Sequence, residues 1–232
     1  MTIDELDTPS VLVDLDVLES NIKRMADYCR QHHLQLRPHA KTHKSAVVAK
    51  MQLAAGACGL TVAKPDEADM MAAAGIEDIL VAYPIVTARK AARIAKLAQR
   101  AKMRVALDST EAIECLSRAA AAQGVDIGVL VEVDIGFARC GVGRPEDSIA
   151  LARAADRMRG VRFDGLMFYP GHIKSPASEQ APLIEEVNRR LIPHYEAFTA
   201  AGIPVSIVSG GSTPTALQSH HFKGVTEIRP GI

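Results

Sequence analysis

Tryptophan is missing altogether from these 232 residues, and aromatic side chains make up only 4% of them. Without aromatic faces there is no stacking platform of the kind that single-strand nucleic-acid binders use. Charge excess is missing too: 27 Lys and Arg balance 27 Asp and Glu, so the formal net charge is zero. No field of one sign steers the chain toward nucleic acid or an anionic membrane. The four cysteines, Cys29, Cys58, Cys115 and Cys140, lie far apart with no CxxC pair, which argues against both a zinc knuckle and a disulfide framework. No apolar run reaches the ~18 residues of a membrane span. The acidic, polar start "MTIDELDTPS" is unlike the basic-then-apolar start of a signal peptide. The expectation is a soluble cytoplasmic protein with no nucleic-acid and no membrane partner.

What is abundant is Ala, Val, Ile and Leu, arranged in short runs. Candidate strands are "SVLVDL" (10–15), "LQLRPH" (34–39), "GLTVA" (59–63), "DILVAY" (78–83), "MRVALD" (103–108), "IGVLVEVD" (127–134), "FDGLMFY" (163–169) and "PVSIVSG" (204–210). Between them lie helical patterns such as "DVLESNIKRMADYCRQH", with apolar residues at 18, 22, 25 and 29. Eight strands, each followed by a helix, predict an α/β fold of the (β/α)8 TIM-barrel type, with a doubly wound open sheet as the alternative. The final "GVTEIRPGI" reads as a turn, a short strand and a Pro-Gly turn. A strand signal at that place suggests that a longer chain continues there. The expected division is a barrel over 1–225 and the start of a second, C-terminal domain over 226–232.

Barrels carry their chemistry at the C-terminal ends of strands. The end of "LQLRPH" offers His39, Lys41, Thr42 and His43; "VDIGFARCGVG" offers Asp134, Arg139 and Cys140; "FYPGH" offers Tyr169 and His172. "SGGSTPT" offers adjacent glycines, Gly210 and Gly211, with hydroxyls on Ser209, Ser212, Thr213 and Thr215. Glycines let a backbone approach a ligand closely, and N–H groups at a helix start favour phosphate; an ordinary Ser/Thr-capped turn is the competing reading. Lys41 lies past an apolar strand and among cations, conditions that lower an amine's pKa and favour Schiff-base chemistry. Lys44, where a helix begins, is its solvated decoy. His39 and His43 have no acid or Cys nearby in sequence to complete a metal set, and Pro38 interrupts the helix an HxxxH site needs. A phosphate cradle facing a reactive lysine suits pyridoxal phosphate. Arg139 then either faces the cofactor's phenolate oxygen or a substrate carboxylate, or pairs with Asp134 in a structural loop.

Six stretches, "LDTPSVLVDLDVLESNI", "RPHAKTHK", "AKPDEADMMAAAGIEDILVAYP", "VDIGFARCGVG", "SGGSTPT" and "TEIRPG", together resemble the D-threonine aldolase and D-serine dehydratase family, barrel-type pyridoxal 5'-phosphate enzymes grouped with alanine racemase. The resemblance runs from residue 6 to 231. It implies that Lys41 carries the cofactor, with His39 among its surroundings. It places Arg139 at the phenolic oxygen and Tyr169 near the pyridine nitrogen. Gly210, Gly211, Ser212 and Thr213 hold the phosphate, and Gly231 makes another cofactor contact. His172 is the implied acid/base group, although Pro170 beside it departs from the family pattern. The implied activity is that of a lyase on small D-3-hydroxy-amino acids, cleaving D-threonine-like substrates to glycine and an aldehyde. The alternatives are β-elimination as in D-serine dehydratase, racemisation, or cofactor binding without catalysis. In the family, a smaller β-rich domain follows RPG and carries ligands for a divalent metal such as Mn²⁺, so the resemblance implies that this domain is missing here. Alanine racemase-like relatives pair head to tail, which implies a homodimer for the full-length form.

Overall fold

The apolar runs without polar alternation become the staves of a closed ring. The computed structural model describes residues 2–231. Its strands are β1 (Gln35–Leu36), β2 (Leu60–Val62), β3 (Asp78–Val81), β4 (Lys102–Leu107), β5 (Ile127–Val133), β6 (Val161–Phe168), β7 (Ile207–Gly210) and β8 (Glu227–Ile228). All pair in parallel, in the order β1-β8-β7-β6-β5-β4-β3-β2. The ring closes between β1 and β2, where Cys58 N–H donates to the Leu36 carbonyl, Thr61 N–H to Pro38 and Ala40 N–H to Thr61, each at 2.8 Å. The fold is therefore the expected (β/α)8 barrel.

Helices α1 (Leu15–Gln31), α2 (Ala46–Ala54), α3 (Pro65–Ala73), α4 (Ala88–Leu97), α5 (Thr110–Gln123), α6 (Pro145–Arg157) and α7 (Ala181–Ala200) alternate with the strands. Their starts are chemically marked: Asp14, Ser45 and Ser109 each accept a first-turn N–H. Gly124 ends α5 in the left-handed conformation, at φ +64°. Helix-facing strand residues such as Ile79, Val81, Val105, Val129 and Phe168 pack into the main core, while Leu80, Ala106, Leu130 and Met167 make a separate cluster inside the ring. Among the described residues no helix is long and apolar enough to cross a membrane.

Below that inner layer, the N-terminal end of the barrel is filled with charge. Arg37 bonds to Glu227 (Nε–Oε2 2.9 Å) and Asp78 (2.6 Å), Arg104 to Asp78 (2.8 Å) and Asp164 (2.8 Å), and Arg162 to Asp164 (2.9 Å). Two glycines clear space for this lattice: a Cβ at Gly59 would run into the Arg37 guanidinium, and one at Gly128 into the Asp164 carboxylate.

One expectation changes. "SVLVDL" is not a strand: residues 10–14 form no regular element, Val11 is 95% exposed, and Asp14 caps α1. The ring is complete without it, so its backbone finds no edge to join. Glu227 and Ile228 pair with β1 and β7 as the last stave of the ring; Ile232 lies outside the described residues. The Gly-Gly-Ser-Thr stretch leads into a six-residue 3-10 helix, Ala216–His221.

Candidate active site

Inward-facing positions alternate along each strand, so the residues two beyond the charged floor and the apolar layer reach the C-terminal mouth. Beyond β1 and β8 these are His39 with Lys41, and Arg229 with Gly231. They meet in a cavity of about 290 Å³, whose walls also include Thr42, Ala63, Ala82, Tyr83, Arg139, Met167, Tyr169, Gly211, Ser212, Thr213 and Pro214. Among the described residues, no carboxylate lines it.

Lys41 sits on a tight turn. Lys44 N–H donates to the Ala40 carbonyl at 2.8 Å, and Lys41 N–H to His39 Nδ1 at 3.4 Å. Desolvation first, then the nearby Arg139 and Arg229, lower the Lys41 pKa. Burial, reinforced by Lys41 and Arg229, pushes His39 down to about 3, so its imidazole is neutral and free to accept that backbone proton. Lys44 differs: its ammonium pairs with the buried Glu67 carboxylate. The two lysines are thus separated by their partners as well as by their places in the turn.

Arg139 is exposed, its guanidinium 4.7 Å from the Tyr169 ring centre and 5.2 Å from that of Phe137, within cation–π range of both. It makes no ion pair with Asp134, whose Oδ1 accepts the N–H groups of Gly136 and Ala138. Arg229 is only 5% exposed, and no carboxylate bonds to it: Nε donates to Ser209 Oγ (2.9 Å) and Nη2 to the Phe168 carbonyl (2.6 Å). Burial lowers its pKa despite the attraction of Glu132 and Glu227. Glu132, 3% exposed, accepts the Cys140 thiol at 3.1 Å, and burial raises its carboxyl. Just past the neighbouring stave β7, Gly211 adopts φ +84°, and Thr213 Oγ1 accepts from Gly231 N–H while donating to its carbonyl. Ser212 and Thr215 hydroxyls lie 3.0 Å apart.

The model of the alanine racemase N-terminal domain matches residues 13–232. This chain belongs to that family. It is 37% identical over 228 residues to a D-threonine aldolase of Arthrobacter sp, covering 97% of this chain and 60% of the relative. It is 36% identical over 231 residues to D-threo-3-hydroxyaspartate dehydratase of Delftia sp. (strain HT23), covering 98% and 60%. The crystal structure of D-threonine aldolase from Filomicrobium marinum superposes with a TM-score of 0.94 at 34% identity, over 99% of this chain and 63% of that one. The chain therefore spans about 60% of the length of the curated relatives it matches.

In this family member, the structure gathers His39, Lys41, Arg139, Tyr169, Gly211, Ser212, Thr213 and Gly231 around one cavity. Ser209 and Gly210 stand behind its wall: the Ser209 hydroxyl serves Arg229, and the Phe168 ring fills the place of a Gly210 Cβ. His172 is exposed on the adjoining rim, stacked on Phe137 with ring centres 6.2 Å apart, and is not among the lining residues. Arg229 is the residue that motif reading passed over. Its signal was the spacing Glu227, Arg229, Gly231, which puts all three on one strand face.

Proposed function

We propose that this chain holds pyridoxal 5'-phosphate on Lys41 and serves a lyase reaction on D-3-hydroxy-amino acids, cleaving a D-threonine-like substrate to glycine and an aldehyde. The observation behind the reading is a cavity faced by Lys41, Arg139 and Arg229 with no lining carboxylate among the described residues. A phosphate and a phenolic oxygen are the anions such a cavity suits, and the residues present fit the cofactor. Bound there, it supplies an electron sink for negative charge at the substrate Cα.

The chain's own groups do the rest. The lowered Lys41 pKa keeps more of its amine unprotonated and nucleophilic near neutrality. Gly211, Ser212 and Thr213 receive the phosphate. Arg139, held against two rings, meets the phenolic oxygen, and Arg229 supplies a fixed positive charge from behind. Tyr169 lies beside the pyridine nitrogen in this reading, and His172, on the rim, is the candidate for moving the β-hydroxyl proton. A divalent metal such as Mn²⁺ and head-to-tail pairing of two copies belong to the same proposal for the full-length form. Among the described residues no group of three or more His, Cys, Asp or Glu side chains is placed to hold a metal, so no step is drawn through one. β-Elimination to a 2-oxo acid and ammonia is the second reading, favoured by the nearly equal identity to the Delftia dehydratase.

Product analysis with D-threonine, pyridoxal phosphate and Mn²⁺ tests the proposal. Glycine with acetaldehyde supports the aldolase reading, and 2-oxobutanoate with ammonia the dehydratase reading. A racemised product moves the assignment to a racemase. Cofactor bound without turnover leaves a binding protein. Lys41→Ala should abolish both turnover and the absorbance of protein-held cofactor; an unchanged spectrum in that variant overturns the site.

A further inference from the structure

Two lysines lie three residues apart, one lining the cavity and one not, and the structure shows what separates them. Lys44 occupies the left-handed region at φ +48°, which is unfavourable for a residue with a Cβ. A glycine or asparagine would sit there more comfortably. Lys44 instead closes the turn that carries Lys41, through its N–H to Ala40, and its ammonium pairs with Glu67. Glu67 is the third residue of α3 and is 4% exposed. Its other oxygen accepts the N–H of Ala63 at 2.8 Å, and Ala63 lines the cavity. One buried carboxylate thus joins the turn after β1 to the wall after β2. Burial raises its pKa, but the Lys44 ammonium and the Ala63 N–H outweigh that and hold it ionised.

We infer that Glu67 is a positioning residue for Lys41, and that it also chooses the amine: by engaging Lys44 it leaves Lys41 as the free nucleophile facing the cavity. This rests on the reading that Lys41 holds the cofactor. Glu67 also acts on Lys41 through space, its negative charge opposing the lowering caused by Arg139 and Arg229.

The test is borohydride fixation. Pyridoxal phosphate is added to the full chain, the bond to lysine is reduced, and the pyridoxyl label is located by peptide mapping across a pH series. In the native sequence the label falls on Lys41. In Glu67→Gln, part of it moves to Lys44, the pH midpoint for labelling Lys41 shifts downward, and cofactor affinity falls about tenfold, roughly 1.4 kcal/mol. Adding Lys44→Arg to that variant returns all label to Lys41, because the second amine is gone. A merely structural role for Glu67 would move neither the label nor the midpoint. If Glu67→Gln does not fold by circular dichroism, Lys44→Met removes the tie from the other side, and the same tenfold loss is expected with label on Lys41. Label on Lys41 with unchanged midpoint and affinity in the folded variant overturns the inference. Label elsewhere in the native chain overturns the Lys41 reading instead.

Discussion

Arg37 and Arg229 point into the same barrel from neighbouring staves, are almost equally buried, and are shifted in opposite directions. At the floor, burial opposes the Arg37 charge, but Glu227 and Asp78 outweigh it and hold its pKa above the ordinary guanidinium value. At the mouth, burial prevails over distant carboxylates, and the Arg229 pKa is lowered. The difference lies in the partners. The floor answers each guanidinium with a carboxylate at ion-pair distance, whereas Arg229 is steadied by a hydroxyl and a carbonyl. One end of the barrel pairs its arginines with carboxylates, and the other leaves positive charge at a cavity that no carboxylate lines among the described residues. Charge alone therefore does not mark a site; unanswered charge does.

The sharpest test is a matched pair of substitutions. Arg37→Met leaves Glu227, 4% exposed, without its cation, and breaking a buried pair from one side costs about 3–5 kcal/mol. Chemical denaturation should show that loss. Arg229→Met removes a buried cation without a bonded carboxylate, so its stability should stay within about 1 kcal/mol of the native chain. Its affinity for pyridoxal phosphate, measured by equilibrium titration, should fall by one to two orders of magnitude, the scale of a lost charged hydrogen bond. Equal destabilisation by both variants would erase the contrast.

A smaller effect concerns acid. His39 titrates at about 3 in the folded chain against an ordinary 6.5, so between those values the unfolded chain binds more protons. Stability then rises with pH across that window, and the His39 contribution is lost as pH falls from 6.5 toward about 3. Denaturation midpoints at pH 7, 5 and 4 should fall less steeply in His39→Gln than in the native chain; parallel slopes would remove His39 as the cause.

Most of this architecture is written in period and punctuation. Runs such as Ile127–Val133 are apolar because both faces are covered, and the caps at Asp14, Ser45 and Ser109 announce their helices. The ends of the ring were harder. Residues 10–15 have a strand's composition, but composition does not supply a pairing edge; Glu227–Ile228 has two residues and no period, yet it completes the sheet. At the site, the gathering of Lys41, Arg139 and the Gly211–Thr213 stretch at one cavity was legible because strand ends share one mouth. Arg229 was not, since its place depends on which face a strand residue takes, and neither was the position of Ser209 behind the wall or of His172 on the rim, which neighbours distant in sequence decide.

The join between β1 and β8 has a kinetic meaning. Gln35 pairs with Glu227, and His39 bridges to Gly231, so residues from opposite ends of the barrel sequence meet at one seam. Such long-range pairing is slow to form, and the cavity does not exist until it has. Lys41 and Gly231 line the same cavity, so a cofactor bound as proposed above would span that seam like a clasp. By mass action, a ligand at a hundred times its Kd would favour the closed ring by about 2.7 kcal/mol. Ligand supply would then bias the finished cylinder toward its closed form.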